Sequence, residues 1–157
     1  MSNPLVGILM GSKSDLPVME HASRVLTELG IENEMQVLSA HRHAKDVMDY
    51  SHTAAERGLK VLIAGAGMAA ALPGVVSACT LLPVLGVPLD GSSLQGMDAL
   101  LSIVQMPKGI PVGTLAIGKS GAINAGLLAA QIIATNDTAL TQRLVDYRKA
   151  SADAARQ

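Results

Sequence analysis

Leu5-Val-Gly-Ile-Leu-Met10, followed at once by Gly11-Ser-Lys-Ser-Asp15, is the stretch on which the fold turns. A short, unbroken apolar run reads as a strand buried on both faces, as in a parallel sheet covered by helices. Beyond it Ser14 is a suitable N-cap, Asp15 favours a helix N-terminus, and Pro17 is tolerated in a first turn. Val18, Ala22, Val25, Leu26 and Leu29 then share one helical face, and Gly30 ends the helix. Strand, tight turn and helix make the opening unit.

Residues 31–38 read as a second strand that delivers Ser39 to His43 at its carboxyl end, and 45–57 is helical in composition, with Gly58 as the stop. Val61-Leu-Ile-Ala64 is a third strand, followed by Gly65-Ala-Gly67 and a small-residue segment over 68–80. Pro83-Val-Leu-Gly-Val87 and Gly113-Thr-Leu-Ala-Ile117 supply a fourth and a fifth. Helices are expected over 96–104, 122–134 and 138–157. Alternating strands and helices argue for one α/β domain over 1–157, with a parallel sheet and helices on both faces. Ligands of such sheets bind beyond the carboxyl ends of the strands. There the chain places 11–15, 39–43, 65–67 and 88–93, four segments expected to converge on one rim.

Composition narrows the function. Net charge is −1, there is no Trp or Phe, and only Tyr50 and Tyr147 are aromatic, so neither a cationic footprint nor a stacking platform for nucleic acid is present. Apolar stretches are cut by Gly65, Gly67, Pro73, Gly74, Pro83 and Pro88, and none is an uninterrupted membrane span. The lone Cys79 excludes an intramolecular disulfide framework and fits a reducing cytosol. No basic, apolar leader is read at Met1-Ser-Asn-Pro-Leu5. Charged residues are only 16% of the chain, against a usual share of about 25%. That deficit points to surface buried between copies of the chain.

The chemistry concentrates in Ser39-Ala-His-Arg-His43, which carries two of the four histidines. Imidazole, with an ordinary pKa of roughly 6.5, both takes and gives a proton near neutral pH, which makes His41 the candidate acid/base. A loop histidine is also a common surface residue. Arg42 can hold a phosphate or carboxylate, and Ser39 can donate to one. Whether His43 shares the pocket depends on the turn. Gly11 to Asp15 reads either as an anion-binding turn or as helix capping. It lacks the GxxxxGK[ST] spacing of a P-loop, and Asp15 suits sugar hydroxyls better than phosphate. Gly65-Ala-Gly67 suggests close approach of backbone to a ligand, without the full dinucleotide fingerprint. His21 and His52 fall within helices, and the histidines have no metal-ligand spacing.

Taken in order, Gly11-Ser-Lys-Ser-Asp15, Ser39-Ala-His-Arg42, Ile63-Ala-Gly-Ala-Gly67, Leu72-Pro-Gly74, Pro83 to Pro88, Ser102 to Pro107, Pro111 to Gly118 and 124–131 resemble the class I N5-carboxyaminoimidazole ribonucleotide mutase family, PurE. The resemblance covers about 6–148. It implies a three-layer α/β/α subunit with a parallel, flavodoxin-like sheet, assembled as a cytoplasmic homo-octamer. It also implies a cofactor-free, metal-free reaction on a ribonucleotide, with carbon dioxide as intermediate. By that resemblance His41 is the catalytic proton shuttle. Ser12, Ser14 and Asp15 lie on the ribose-phosphate, Ser39, Ala40 and Arg42 on the phosphate or carboxylate side, and Ala66 and Gly67 form a backbone wall.

Two places depart from the family pattern. Thr-Pro after SAHR is replaced by His43-Ala44, and the usual AGAGGAAHLPG loop reads Ala64-Gly-Ala-Gly-Met-Ala-Ala-Ala71-Leu-Pro-Gly74. A glycine has become Met68 and an active-site histidine Ala71. His43 is therefore the candidate auxiliary imidazole. Rival expectations are a carboxylase or decarboxylase acting on aminoimidazole ribonucleotide or another heterocycle, and a nucleotide-binding homologue with impaired turnover.

Overall fold

The computed structural model of the chain describes residues 3–156. Five strands, β1 (Val6–Met10), β2 (Asn33–Val37), β3 (Val61–Ala66), β4 (Val84–Pro88) and β5 (Gly113–Thr114), form one sheet in the order β2-β1-β3-β4-β5. Every pairing is parallel. Six helices connect and follow them: α1 (Leu16–Glu28), α2 (Ala44–Thr53), α3 (Leu72–Ala78), α4 (Met97–Val104), α5 (Lys119–Ala134) and α6 (Thr138–Ala154). The three-layer, flavodoxin-like architecture expected from the sequence is present.

Strand composition follows position. The inner strands read VGILM, VLIAGA and VLGVP and are buried throughout, whereas β2, at an edge, reads NEMQV and is partly exposed. Alternate side chains serve the two faces, as the two-residue strand period requires. Val6, Ile8, Met10, Val61 and Ile63 pack under α1, α5 and α6, while Leu9, Leu62 and Ala64 pack under α2, α3 and α4. The contact between α1 and α5 is close: a Cβ on Gly126 would stand 2.9 Å from the Ala22 carbonyl oxygen. Arg143 of α6 donates through Nε to the Leu29 carbonyl at 2.8 Å, which satisfies an acceptor orphaned at the end of α1.

Several sequence-based boundaries shift. Ser12, not Ser14, caps the turn after β1, because its hydroxyl accepts from the Ser14 amide while Asp15 reaches back to the Ser12 amide. The first helix proper begins at Leu16. The fifth strand shortens from 113–117 to Gly113–Thr114: beyond the ladder, the Leu115 amide still donates to Gly86 and the Gly118 amide to Pro88. Helix α5 begins at Lys119, three residues before the expected start. Residues 72–78, expected only as a small-residue segment, form α3, with Pro73 accommodated in its first turn. The last helix ends at Ala154, short of the expected 157, because the chain tightens into a turn in which the Arg156 amide donates to the Asp153 carbonyl. The leader reading at Met1-Ser2 lies outside the described residues.

Candidate active site

The order β2-β1-β3 creates a switch point: the chain leaves β1 toward one side of the sheet and later returns to β3 on the other. A crevice opens there at the carboxyl ends, where α/β sheets bind ligands. The register brings the ends level, with Met10 opposite Val37 and Gly65, and Ala66 opposite Pro88. Just beyond them lies a cleft of ≈ 670 Å³. Its walls come from the four segments that sequence reasoning placed on one rim.

From the β1 end come Ser12, Ser14 and Asp15. The Ser12 amide donates to Asp15 Oδ2 at 3.0 Å, and the two serine hydroxyls lie 2.9 Å apart. Burial pushes the Asp15 carboxyl above its ordinary pKa, against the hydrogen bonds from the Ser12 and Gly11 amides and the charge of Arg42. From the β2 end come Ser39, Ala40, His41 and Arg42. Ser39 is buried, and its Oγ accepts the Arg42 amide at 3.3 Å, which shapes the turn. Arg42 Nη2 donates to the Gly11 carbonyl at 3.0 Å and so ties the β2 turn to the β1 turn. His41 is exposed on the same wall, and its imidazole has no hydrogen-bond partner among the described residues.

The β3 end supplies Ala66 and Gly67 and then Met68 to Leu72. Met68 holds φ at 54°, a left-handed conformation natural to glycine and costly for a side chain, and it is 65% exposed at the cleft. Ala71 lines the cleft from the N-cap position of α3, so the wall over 68–72 carries no titratable group.

His43 is the one expected site residue absent from the cleft. It sits at the N-cap position of α2, exposed, with its amide donating to the Ser39 carbonyl at 2.7 Å and its own carbonyl accepting from Val47. That helix start leaves it outside the residues that line the cleft. Sequence reasoning missed Asp90, which lines the cleft from the β4 end. It was only one unremarked position of the 88–93 rim, and nothing in its local pattern distinguishes it. Among the described residues no three His, Cys, Asp or Glu side chains gather as a metal-ligand set. None of the helices described is long and apolar enough to cross a membrane.

The family model for AIR carboxylase matches residues 5–154. The chain belongs to that family. The N5-carboxyaminoimidazole ribonucleotide mutase of Escherichia coli is 55% identical over 153 residues, spanning 97% of this chain and 90% of its own. That of Bacillus subtilis is 56% identical over 146 residues, 93% of this chain and 90% of its own. The crystal structure of Treponema denticola PurE superposes with a TM-score of 0.85 at 31% identity, covering 97% of this chain and 94% of that one. The AIR carboxylase family thus accounts for both the sheet order and the motif order of the chain.

Proposed function

We propose that the chain is an N5-carboxyaminoimidazole ribonucleotide mutase of purine biosynthesis, acting in the cytoplasm as a homo-octamer. The observation that carries this reading is the meeting of His41 with Ser12, Asp15, Ser39 and Arg42 in one cleft. A ribonucleotide needs an anion site, an acceptor for its ribose hydroxyls and a proton carrier at its heterocycle. Ser12, Ser39 and Arg42 suit the first, Asp15 the second and His41 the third, with the backbone of Ala40, Ala66 and Gly67 as a close wall and Ser14 at its edge.

The proton count closes on one imidazole. Loss of carbon dioxide returns an electron pair to the exocyclic nitrogen, which takes a proton from His41. Carbon C4 then bonds to the carbon dioxide, and its hydrogen leaves as a proton to the now neutral His41. Retaining carbon dioxide in the cleft turns a bimolecular recombination into a step governed by proximity. No cofactor or metal enters this scheme. Octameric assembly is supported by the 16% charged content and by Leu94, Met97, Leu101 and Val104, which stand exposed along α4 and just before it.

Offering the N-carboxylated nucleotide, and separately aminoimidazole ribonucleotide with bicarbonate, tests the reading. Conversion of the first to the C4 carboxylate, lowered by a factor of about 100 to 10,000 in His41→Asn, is expected. Turnover confined to the bicarbonate arm, or unchanged in His41→Asn, would overturn it.

A further inference from the structure

Four titratable side chains line the cleft: Asp15, His41, Arg42 and Asp90. Asp15 is occupied by the Ser12 amide and Arg42 by the Gly11 carbonyl. Asp90, like His41, has no hydrogen-bond or ion-pair partner among the described residues. It is nevertheless seated. Gly96 (φ +86°) and Gly118 (φ +74°) lie against it: a Cβ on Gly96 would stand 3.3 Å from its Cα, and one on Gly118 3.6 Å from its Oδ2. The Leu89 amide, bonded to the Ala66 carbonyl at 3.0 Å, and the Pro88 carbonyl, accepting the Gly118 amide at 2.8 Å, fix the backbone that leads into it.

The position of this carboxylate relative to the anion-binding groups decides what it can do. Ser12, Ser39 and Arg42 come from the β1 and β2 ends, whereas Asp90 follows β4, two strands from β1 and three from β2. Strand spacing puts the two sides roughly 10–14 Å apart, a span comparable with a ribonucleotide. A phosphate drawn to the first side directs the heterocycle across the cleft, with His41 on the near side and Asp90 on the far one. With Asp15 assigned to ribose hydroxyls, the remaining donor on the ligand is the exocyclic amine.

We propose that Asp90 is a catalytic residue that accepts a hydrogen bond from the exocyclic nitrogen of the aminoimidazole and discriminates between its carboxylated and free forms. The inference rests on the mutase reading and deepens it. While the nitrogen carries its carboxylate, the ligand presents a negative charge to Asp90, and like charges repel. Once carbon dioxide has left, the same nitrogen is a neutral amine with hydrogens to donate, and the contact becomes favourable. Asp90 therefore raises the bound substrate and lowers the decarboxylated intermediate, a differential interaction of the kind that accelerates a reaction. It performs this at the wall opposite the two backbone turns, where residues 68–72 offer no charged group.

Asp90→Asn keeps the shape and an acceptor but removes the charge. Isothermal titration with the N-carboxylated nucleotide and with aminoimidazole ribonucleotide, alongside steady-state turnover, is the test. The variant is expected to bind the carboxylated form more tightly and the free amine more weakly, each by about three- to tenfold. It is also expected to lower kcat by about tenfold while KM falls, the pattern of relieved ground-state destabilisation. Affinities that move together, or kcat and KM both within twofold of wild type, would overturn the assignment. Wild-type protein that fails to convert the N-carboxylated nucleotide would sink the mutase reading, and the affinity ranking alone would then decide the role of Asp90.

Discussion

Asp15 shows how a carboxyl lining the cleft sets a cost against stability. Its carboxyl is pushed above the ordinary 3.8 by burial, despite two amides and Arg42, so the folded protein holds this proton more firmly than the unfolded chain. Stability from this group is therefore present at low pH and declines as pH rises from about 3.8 through the raised folded value. Asp15→Asn, whose amide oxygen can still accept from Ser12, is expected to raise the urea midpoint at pH 7, with no gain below the ordinary carboxyl range. Nucleotide affinity should fall in the same variant, because a neutral amide is a poorer acceptor for sugar hydroxyls than a carboxylate.

At the scale of elements, β2 is fastened to α2 and the turn after it through one polar clasp. Tyr50 of α2 donates to Glu34 Oε1 at 2.6 Å, Arg57 Nη1 donates to the same oxygen at 2.8 Å, and the guanidinium lies 4.5 Å from the Tyr50 ring centroid. Burial pushes the Glu34 carboxyl up, but the bonds from Tyr50 and Arg57 outweigh it and the net direction is down. A lowered carboxyl contributes stability above its unfolded pKa and loses it as pH falls through the folded one. Tyr50→Phe is expected to cost about 1–2 kcal/mol at pH 7, read from urea unfolding, with a smaller difference from wild type at pH 3. This clasp was not legible in the sequence, since its three members are separated by 16 and 23 positions and no periodicity links them. The inner strands were legible because burial on both faces demands an unbroken apolar run. Helix α3 was not, because Leu72-Pro-Gly-Val-Val-Ser-Ala78 mixes helix breakers and β-branched residues and depends on packing of Leu72 and Val76. Similarly, motif order placed residues from Ser12 to Gly67 on the cleft, whereas leaving His43 off its lining and adding Asp90 required the turn geometry and the register of β4.

For the whole molecule, the sparse charge and the apolar side chains left outside by α4 belong to one account. Leu94, Met97, Leu101 and Val104 are each about half or more exposed in the single chain, uncovered by any of the described helices. Light scattering is expected to give eight chains of 16.1 kDa per particle. Leu101→Glu, which places a charge in that stripe, is expected to shift the population to smaller species without changing the far-ultraviolet circular dichroism per residue.

The all-parallel sheet also sets the order in which the molecule can be made. No two of its strands can be joined by a hairpin: Val6 pairs with Asn33 and with Val61, so the central pairing must close a loop more than fifty residues long. Such non-local closure pays its entropy before any strand contact rewards it, which makes folding slow relative to helical chains of this size. The cleft inherits that delay. Its walls lie beyond β1, β2, β3 and β4, so a nascent chain holds only part of the cleft wall until Asp90 has emerged and β4 has docked.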